Sequence, residues 1–283
     1  MRDLKISFVV LTYNRVDALL QVLGALAPQC DSRHEIVIAD DGSSDLAVAE
    51  LKAKLPTFRC EVRHVWHPDR GFTASCARNL GALSSTGDYL VFLDGDCVPN
   101  ARFVQAHEAL AKRGFFVNGN RVLLSETLTQ QVLSGQVSLA NAKIVDWLTW
   151  RAQGHVNKLM HLIYWPGAPG RCESQFRWEQ IRSCNFALWR GDFLSVNGFD
   201  ETFEGWGHED ADLVLRLHHA GLTRKNGYLC TEVYHLWHRQ SSRVGESVNY
   251  QRVLDRIATT SVVAARGVHD HVLANNVVVT SVN

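Results

Sequence analysis

Short apolar runs alternate with helical patterns along the first third of the chain. Ile6 to Leu11 (ISFVVL) is a β-branched apolar run. After polar Thr12-Tyr13-Asn14-Arg15, Leu19, Leu20, Leu23 and Leu26 recur at helical spacing. Glu35 to Ala39 (EIVIA) repeats the strand pattern and is closed by Asp40-Asp41-Gly42-Ser43-Ser44-Asp45, after which Ala47 to Leu55 reads helical. A third strand fits Cys60 to Val65. Thr73 to Ser84 reads as a helix with Ala74, Ala77, Leu80 and Gly81 on one side, and Tyr89 to Leu93 (YLVFL) as a fourth strand. Buried-type strands alternating with helices predict an α/β fold, a mostly parallel, doubly wound central sheet with helices on both faces.

The periodicity weakens from Ser125 to Arg182, where Trp147, Trp150, Trp165 and Trp178 stand among Arg151, Lys158, Arg171 and Arg177. A long loop packed over the core accounts for this composition, and so does a binding groove or a surface that meets a lipid-linked ligand. Order resumes with strand-like Phe186 to Trp189 and a turn at Asn197-Gly198. An amphipathic helix then runs from Glu209 to Ala220, stopped by Gly221. A short strand fits Glu232 to Tyr234, and the tail combines a helix with the Val-rich end Val277-Val278-Val279. One continuous domain is expected, divided into residues 1–124, 125–182, 183–249 and a C-terminal extension 250–283.

Charge and composition narrow the classes. With 29 basic against 29 acidic residues, no global field draws the chain to nucleic acid or an anionic membrane, so an anion site has to be local. No run of about 18 apolar residues predicts a membrane span. Met1-Arg2-Asp3-Leu4 leads straight into a strand without a signal-peptide pattern, which places the chain in the cytoplasm, with peripheral contact at the inner face of the membrane left open. Seven widely spaced cysteines without a C-x-x-C pair argue for reduced thiols over a disulfide framework or structural zinc.

In doubly wound sheets ligands lie beyond the carboxyl ends of the strands. Three polar clusters are expected there: Thr12 to Arg15, Asp40 to Asp45, and Asp94-Gly95-Asp96. Two carboxylates around a glycine that permits close approach suit a hard divalent cation, Mn2+ or Mg2+, bridging two phosphates; an acidic turn ending a strand is the plainer reading. Asp40 and Asp41 suit hydrogen bonds from a base N–H or ribose hydroxyl, while Ser43, Ser44 and Asp45 suit helix capping. Asp210 and Glu209 stand at a helix start, where the macrodipole favours ionised carboxylates, so helix-start acids and a general base are both compatible. Trp206, in Gly205-Trp206-Gly207-His208, offers an aromatic platform for a sugar face. His235 and His238 are candidates to complete a metal shell, and strand alternation would put them on opposite faces, so one ligand is expected, His235 before His238. Arg121, in Asn118-Gly119-Asn120-Arg121, could contact phosphate or stand as a turn-flanking surface arginine.

The motifs VVLTYNR, IVIADDGSSD, ARNLG and VFLDGD, in that order over about the first 100 residues, resemble family 2 glycosyltransferases of GT-A fold. Asn197-Gly198-Phe199-Asp200-Glu201 and Gly205-Trp206-Gly207-His208-Glu209-Asp210 resemble the acceptor-side motif of chondroitin-polymerase-like enzymes and β-1,4-galactosyltransferases. The resemblance implies a metal-dependent, inverting transfer from a UDP-type nucleotide-sugar to a hydroxyl of a glycan or glycolipid acceptor, in bacterial cell-surface polysaccharide or lipopolysaccharide synthesis. It implies that Asp40 and Asp41 hold the nucleotide, Tyr13 packs on the base, Asp94 reaches ribose or metal, Asp96 coordinates the metal with a histidine from the 235 region, and Asp210 is the general base. Many related enzymes carry a basic residue near Thr73 that touches the pyrophosphate, a place that Arg70 or Arg78 would fill here.

Two other classes remain in view. A sugar-nucleotide nucleotidyltransferase would want a Gly-rich basic loop where Thr12-Tyr13-Asn14-Arg15 stands. A non-catalytic carbohydrate-binding protein on the same fold would be expected to lose an acid from one of the two motifs, and both motifs are complete. A dehydrogenase lacks support, because no G-x-G-x-x-G follows the first strand.

Overall fold

The computed structural model describes residues 4–173, 177–178, 181, 183–239, 245–271 and 277–282. Met1, Arg2 and Asp3, read above as the chain's start, and Arg182, a segment boundary, lie outside them. β1 (Ile6–Thr12) is apolar throughout because both of its faces are covered. Ile6, Phe8 and Val10 enter one core cluster with Leu19, Val22 and Leu23 of α1 (Val16–Leu26). Val9 points the other way, into a second cluster with Ala77 and Ala82 of α3 (Ala74–Leu83). Period-two alternation thus sorts one strand's side chains onto two helical layers.

In chain order the first half continues with β2 (His34–Asp40), α2 (Asp45–Lys54), β3 (Glu61–Trp66), β4 (Tyr89–Asp94), β5 (Cys97–Pro99), α4 (Phe103–Leu110), β6 (Phe115–Asn118) and β7 (Asn120–Leu123). α5 (Glu126–Leu133), α6 (Ile144–Ala152), β8 (Asn185–Trp189), α7 (Arg190–Ser195), α8 (Glu209–His219), β9 (Thr223–Asn226), β10 (Glu232–His235), α9 (Glu246–Ile257) and β11 (Val278–Ser281) complete the described elements. The main sheet has the order β11-β3-β2-β1-β4-β8-β6-β9, and β5-β10-β7 form a small second sheet. β3, β2, β1 and β4 are parallel neighbours, whereas β8 runs antiparallel between β4 and β6. The doubly wound expectation holds for the first half, and the second half adds antiparallel pairing to it.

The 125–182 segment is more ordered than its weak periodicity suggested. Ser125 caps α5 by accepting from the Leu128 N–H. In α6, Trp147 is buried and stacks on Tyr234, while Ile144, Val145 and Leu148 face outward, which inverts the usual pattern and hides the helix from a periodicity reading. The seven cysteines are free thiols, and no described helix is long and apolar enough to cross a membrane.

Candidate active site

Register brings the clusters together. Thr12 pairs with Asp40 across β1 and β2, and Leu11 pairs with Asp94 across β1 and β4, so the three strand ends share one level. Gly95 donates its N–H to the Leu11 carbonyl at 2.7 Å, and a Cβ there would sit 2.6 Å from that oxygen. The loop between the two acids therefore folds tightly over β1 only with glycine.

Asp40 and Asp41 are buried and already engaged. Asp40 accepts from the Ser43 N–H at 2.7 Å and pairs with His64 Nε2 at 2.8 Å. Asp41 accepts from the Thr73 N–H at 3.0 Å and from the Thr73 hydroxyl, and lies 3.3 Å from His67 Nε2. At 1% and 4% exposure, these carboxylates pin the loops after β2 and before α3, and a nucleotide would reach only the lone pairs left over. The open rim is formed by Tyr13, which is exposed and donates its hydroxyl to Asp69 at 2.9 Å, together with Arg15 and Asn14. Asn14 bridges to the β2 loop through Ser43 Oγ and the Ser44 N–H. Thr12 is buried and accepts the Asp41 N–H on its carbonyl. His64, His67 and Thr73 were not singled out from the sequence; strand alternation in β3 was the one available signal for His64.

Arg78 differs from the expected diphosphate contact. Its side chain is only 4% exposed and lies under the cleft, donating to Asp94 at 2.9 Å and to Glu209 at 3.2 Å. Burial works against its charge, but Asp94 and Glu209 more than offset this and hold its pKa above the ordinary value. A guanidinium spent on two protein carboxylates couples the β4 end to the start of α8 instead of reaching for phosphate.

On the other side of Asp94, β10 delivers its histidines. Leu236 N–H donates to the Asp96 carbonyl, His235 Nε2 lies 3.9 Å from Asp96 Oδ1, and His238 Nε2 lies 3.3 Å from Asp96 Oδ2. Strand alternation does not govern His238, because β10 ends at His235, and both rings stand against the same carboxylate. Burial first, then Arg121 and His238, push His235 down despite Asp96, keeping its nitrogen free to bind a cation. Cys97 completes a close group with Asp96 and His235, but burial raises its thiol far above the range where it ionises, and its Sγ–H donates to Asp96. One carboxylate and two imidazoles, with Asp94 beside them, fit a divalent cation.

The α8 start carries the second carboxylate group. His208 caps it in a left-handed conformation, φ 71°, between Gly207 and Glu209, and half-buried Trp206 precedes them. Asp210 accepts from the Ser183 N–H at 3.2 Å and from the Ala211 N–H at 2.8 Å. The residue keeps partial solvent access, yet the surrounding protein strips most water from its carboxyl. That desolvation, then repulsion by Glu209, pushes its pKa up to about 7 against the attraction of Arg78. A carboxyl poised near neutrality suits proton abstraction from a hydroxyl.

The Asn197 to Glu201 motif lies behind this group. Asn79 bonds the Phe199 backbone on both sides and donates to Glu201. The C-terminal extension clamps the motif from outside: Asp200 accepts from the Ala265 N–H and Arg256, and His271 pairs with Glu201.

Residues 7–157 match the profile of glycosyl transferase family 2, and residues 170–239 match that of the N-terminal domain of galactosyltransferase. Validoxylamine A glucosyltransferase of Streptomyces hygroscopicus subsp. limoneus is 30% identical over 228 residues, covering 77% of this chain and 48% of that protein. Chondroitin synthase of Escherichia coli is 26% identical over 239 residues, covering 76% of this chain and 32% of that one. The chain thus spans half or less of these relatives' length. The crystal structure of GalNAc-T7 with UDP, GalNAc and Mn2+ aligns with a TM-score of 0.57 at 16% identity, over 90% of this chain and 48% of that one, which is a likeness of GT-A fold. The family profile covers more than half the chain, over the same strands and loops that build the cleft, and the protein belongs to glycosyl transferase family 2.

Proposed function

We propose that the cleft transfers a sugar, with inversion, from a UDP-type nucleotide-sugar to a hydroxyl of a glycan or glycolipid acceptor. The observation that carries this reading is the placement of Asp210, pushed up to about 7, across Arg78 and Asp94 from the Asp96, His235 and His238 group. This arrangement supports Asp210 as the base for the nucleophile and the Asp96 group as the cation site for the leaving group.

Tyr13, Asn14 and Arg15 receive the nucleotide at the rim, and Asp40 and Asp41 hold the loops that shape it. Asp96 with His235 and His238 would hold the cation, and the nitrogen donors favour Mn2+ over Mg2+, which demands oxygen. When bound, the cation supplies Lewis-acid stabilisation of the departing diphosphate. Asp210 takes the proton of the acceptor hydroxyl as its oxygen bonds to the anomeric carbon. The bond from that carbon to the diphosphate breaks, and the nucleoside diphosphate leaves with the electron pair. Glu209, held by Arg78, raises the basicity of Asp210, and Trp206 offers its face to a sugar ring. Residues 1–124 form the donor half and 183–249 the acceptor half.

Free cysteines support a reducing compartment such as the cytoplasm, with a glycolipid acceptor reached at the inner membrane face in cell-surface polysaccharide synthesis. Product analysis tests the reaction class. Nucleoside diphosphate with a glycosylated acceptor is expected; pyrophosphate would instead identify a nucleotidyltransferase.

A further inference from the structure

A cavity of ≈ 200 Å³ lies between the ends of β6, β7, β8 and β9. The sheet order puts it on the far side of Asp94 from the Asp40 loop, away from the nucleotide rim. Its wall includes Cys184, whose carbonyl accepts the Asp94 N–H, and the preceding residue, Ser183, holds Asp210. The cavity therefore adjoins the reacting centre on the side where a hydroxyl would meet its base.

Its lining is amide and guanidinium, from Asn118, Asn120, Arg121, Arg224 and Asn226, with Tyr228. The cations differ in what they hold. Arg224 lies 3.4 Å from Glu173, which also accepts from Asn226 Nδ2. Lys158 bonds Asn120 Oδ1, and burial pushes its pKa down. Glu232, the nearby acid on β10, is buried, accepts the Leu229 N–H, and is itself pushed up by burial. The Arg121 guanidinium is half-buried and, among the described residues, has neither a carboxylate within ion-pair distance nor a hydrogen bond. Its charge is instead felt at Lys158 and His235, both of which it disfavours as cations. A half-buried guanidinium fork that lines a cavity and has no acid of its own is matched to a carboxylate or phosphate brought by a ligand.

The backbone that presents Arg121 is fixed. Gly119 donates to the Asn185 carbonyl at 2.8 Å, and a Cβ on Gly119 would collide with the Asn185 side chain. Asn185 Nδ2 in turn donates to the Asn120 carbonyl at 3.2 Å, and Gly227 N–H donates to the Asn118 carbonyl. The backbone that carries the fork is thus set before any ligand arrives.

Resting on the glycosyltransferase reading, we propose that this cavity seats the acceptor sugar and that the acceptor carries an anionic group, carboxylate or phosphate, bound by Arg121. The test is calorimetric titration of the chain pre-loaded with UDP and Mn2+, which occupy the donor side, using methyl glucuronide, glucose 6-phosphate and neutral methyl glucoside as probes. One of the two anionic probes should bind about ten- to hundredfold tighter than the neutral glucoside, as expected for hydrogen bonds to a charged group. The preference of uronate over phosphate, or the reverse, identifies the group. Arg121→Gln, saturated with UDP and Mn2+ before the probes are added, should erase that preference in a chain that still melts within a few degrees of the parent. Equal binding of charged and neutral probes, binding of none, or a preference that survives Arg121→Gln overturns the proposal with the donor reading intact. Failure to bind UDP with Mn2+ in the first step would instead remove the donor reading on which it rests.

Discussion

Asp210 gives the sharpest quantitative expectation. With its pKa near 7, the carboxylate needed to accept a proton is about a tenth populated at pH 6 and about a hundredth at pH 5. At subsaturating acceptor, turnover should therefore fall roughly a hundredfold from pH 8 to pH 5 with a unit slope, whereas a carboxyl at its ordinary value of 3.8 would leave the rate flat over that range. The stability consequence has a definite sign. A carboxyl raised by folding favours the native state below its unfolded value, and that contribution is lost as pH rises through about 7. Asp210→Asn has no charge to desolvate, so it should lose transfer yet gain stability relative to the parent chain between pH 4 and pH 8, by at most on the order of 4 kcal/mol. Initial rates across pH, paired with thermal melts of both chains, check both halves. A flat rate profile down to pH 5, or normal transfer by the Asp210→Asn chain, would refute the assignment of the base.

Three further expectations concern how the cleft is held. Arg78→Met removes the bridge between Asp94 and Glu209 and should cost about 2–3 kcal/mol, since Asp94 keeps partial access to water, and should lower kcat more than it raises the donor KM. Gly95→Ala forces a Cβ against the Leu11 carbonyl; a loss of about 1–3 kcal/mol by urea unfolding and weaker Mn2+ binding by calorimetry are expected. Arg256→Ala strips a cation from Asp200 and Asp212, whose side chains are fully buried, and should destabilise by about 3 kcal/mol in the same assay.

The first half of the fold was readable because its strands are covered on both faces, so IVIA and YLVFL appear as unbroken apolar runs whose ends deliver the acids. Element limits there fall within a residue or two of the expected ones. β8 was visible as a strand, but its insertion between β4 and β6 was not, since long-range antiparallel pairing leaves no local mark. α6 was hidden because Ile144, Val145 and Leu148 face outward, so its pattern carries no inward stripe. At the site, residue types were legible and their partners were not. Asp40 and Asp41 read as nucleotide contacts, and their engagement by histidines and a threonine from β3 and the loop after it left no mark in the sequence. His238 read as facing away because alternation was carried about three residues past the end of β10, where the strand no longer sets side-chain direction. Arg78 read as a phosphate contact because burial, which decides what a guanidinium holds, is a property of the packed chain.

On the proposed mechanism, nucleotide-sugar turnover runs through a cation held at Asp96. Nucleoside diphosphate release from UDP-sugars with Mn2+ should be abolished by chelation with EDTA, restored by added Mn2+, and absent in an Asp96→Ala chain that melts within a few degrees of the parent. Undiminished release in that variant, or release indifferent to EDTA, would remove the cation and Asp96 from the reaction.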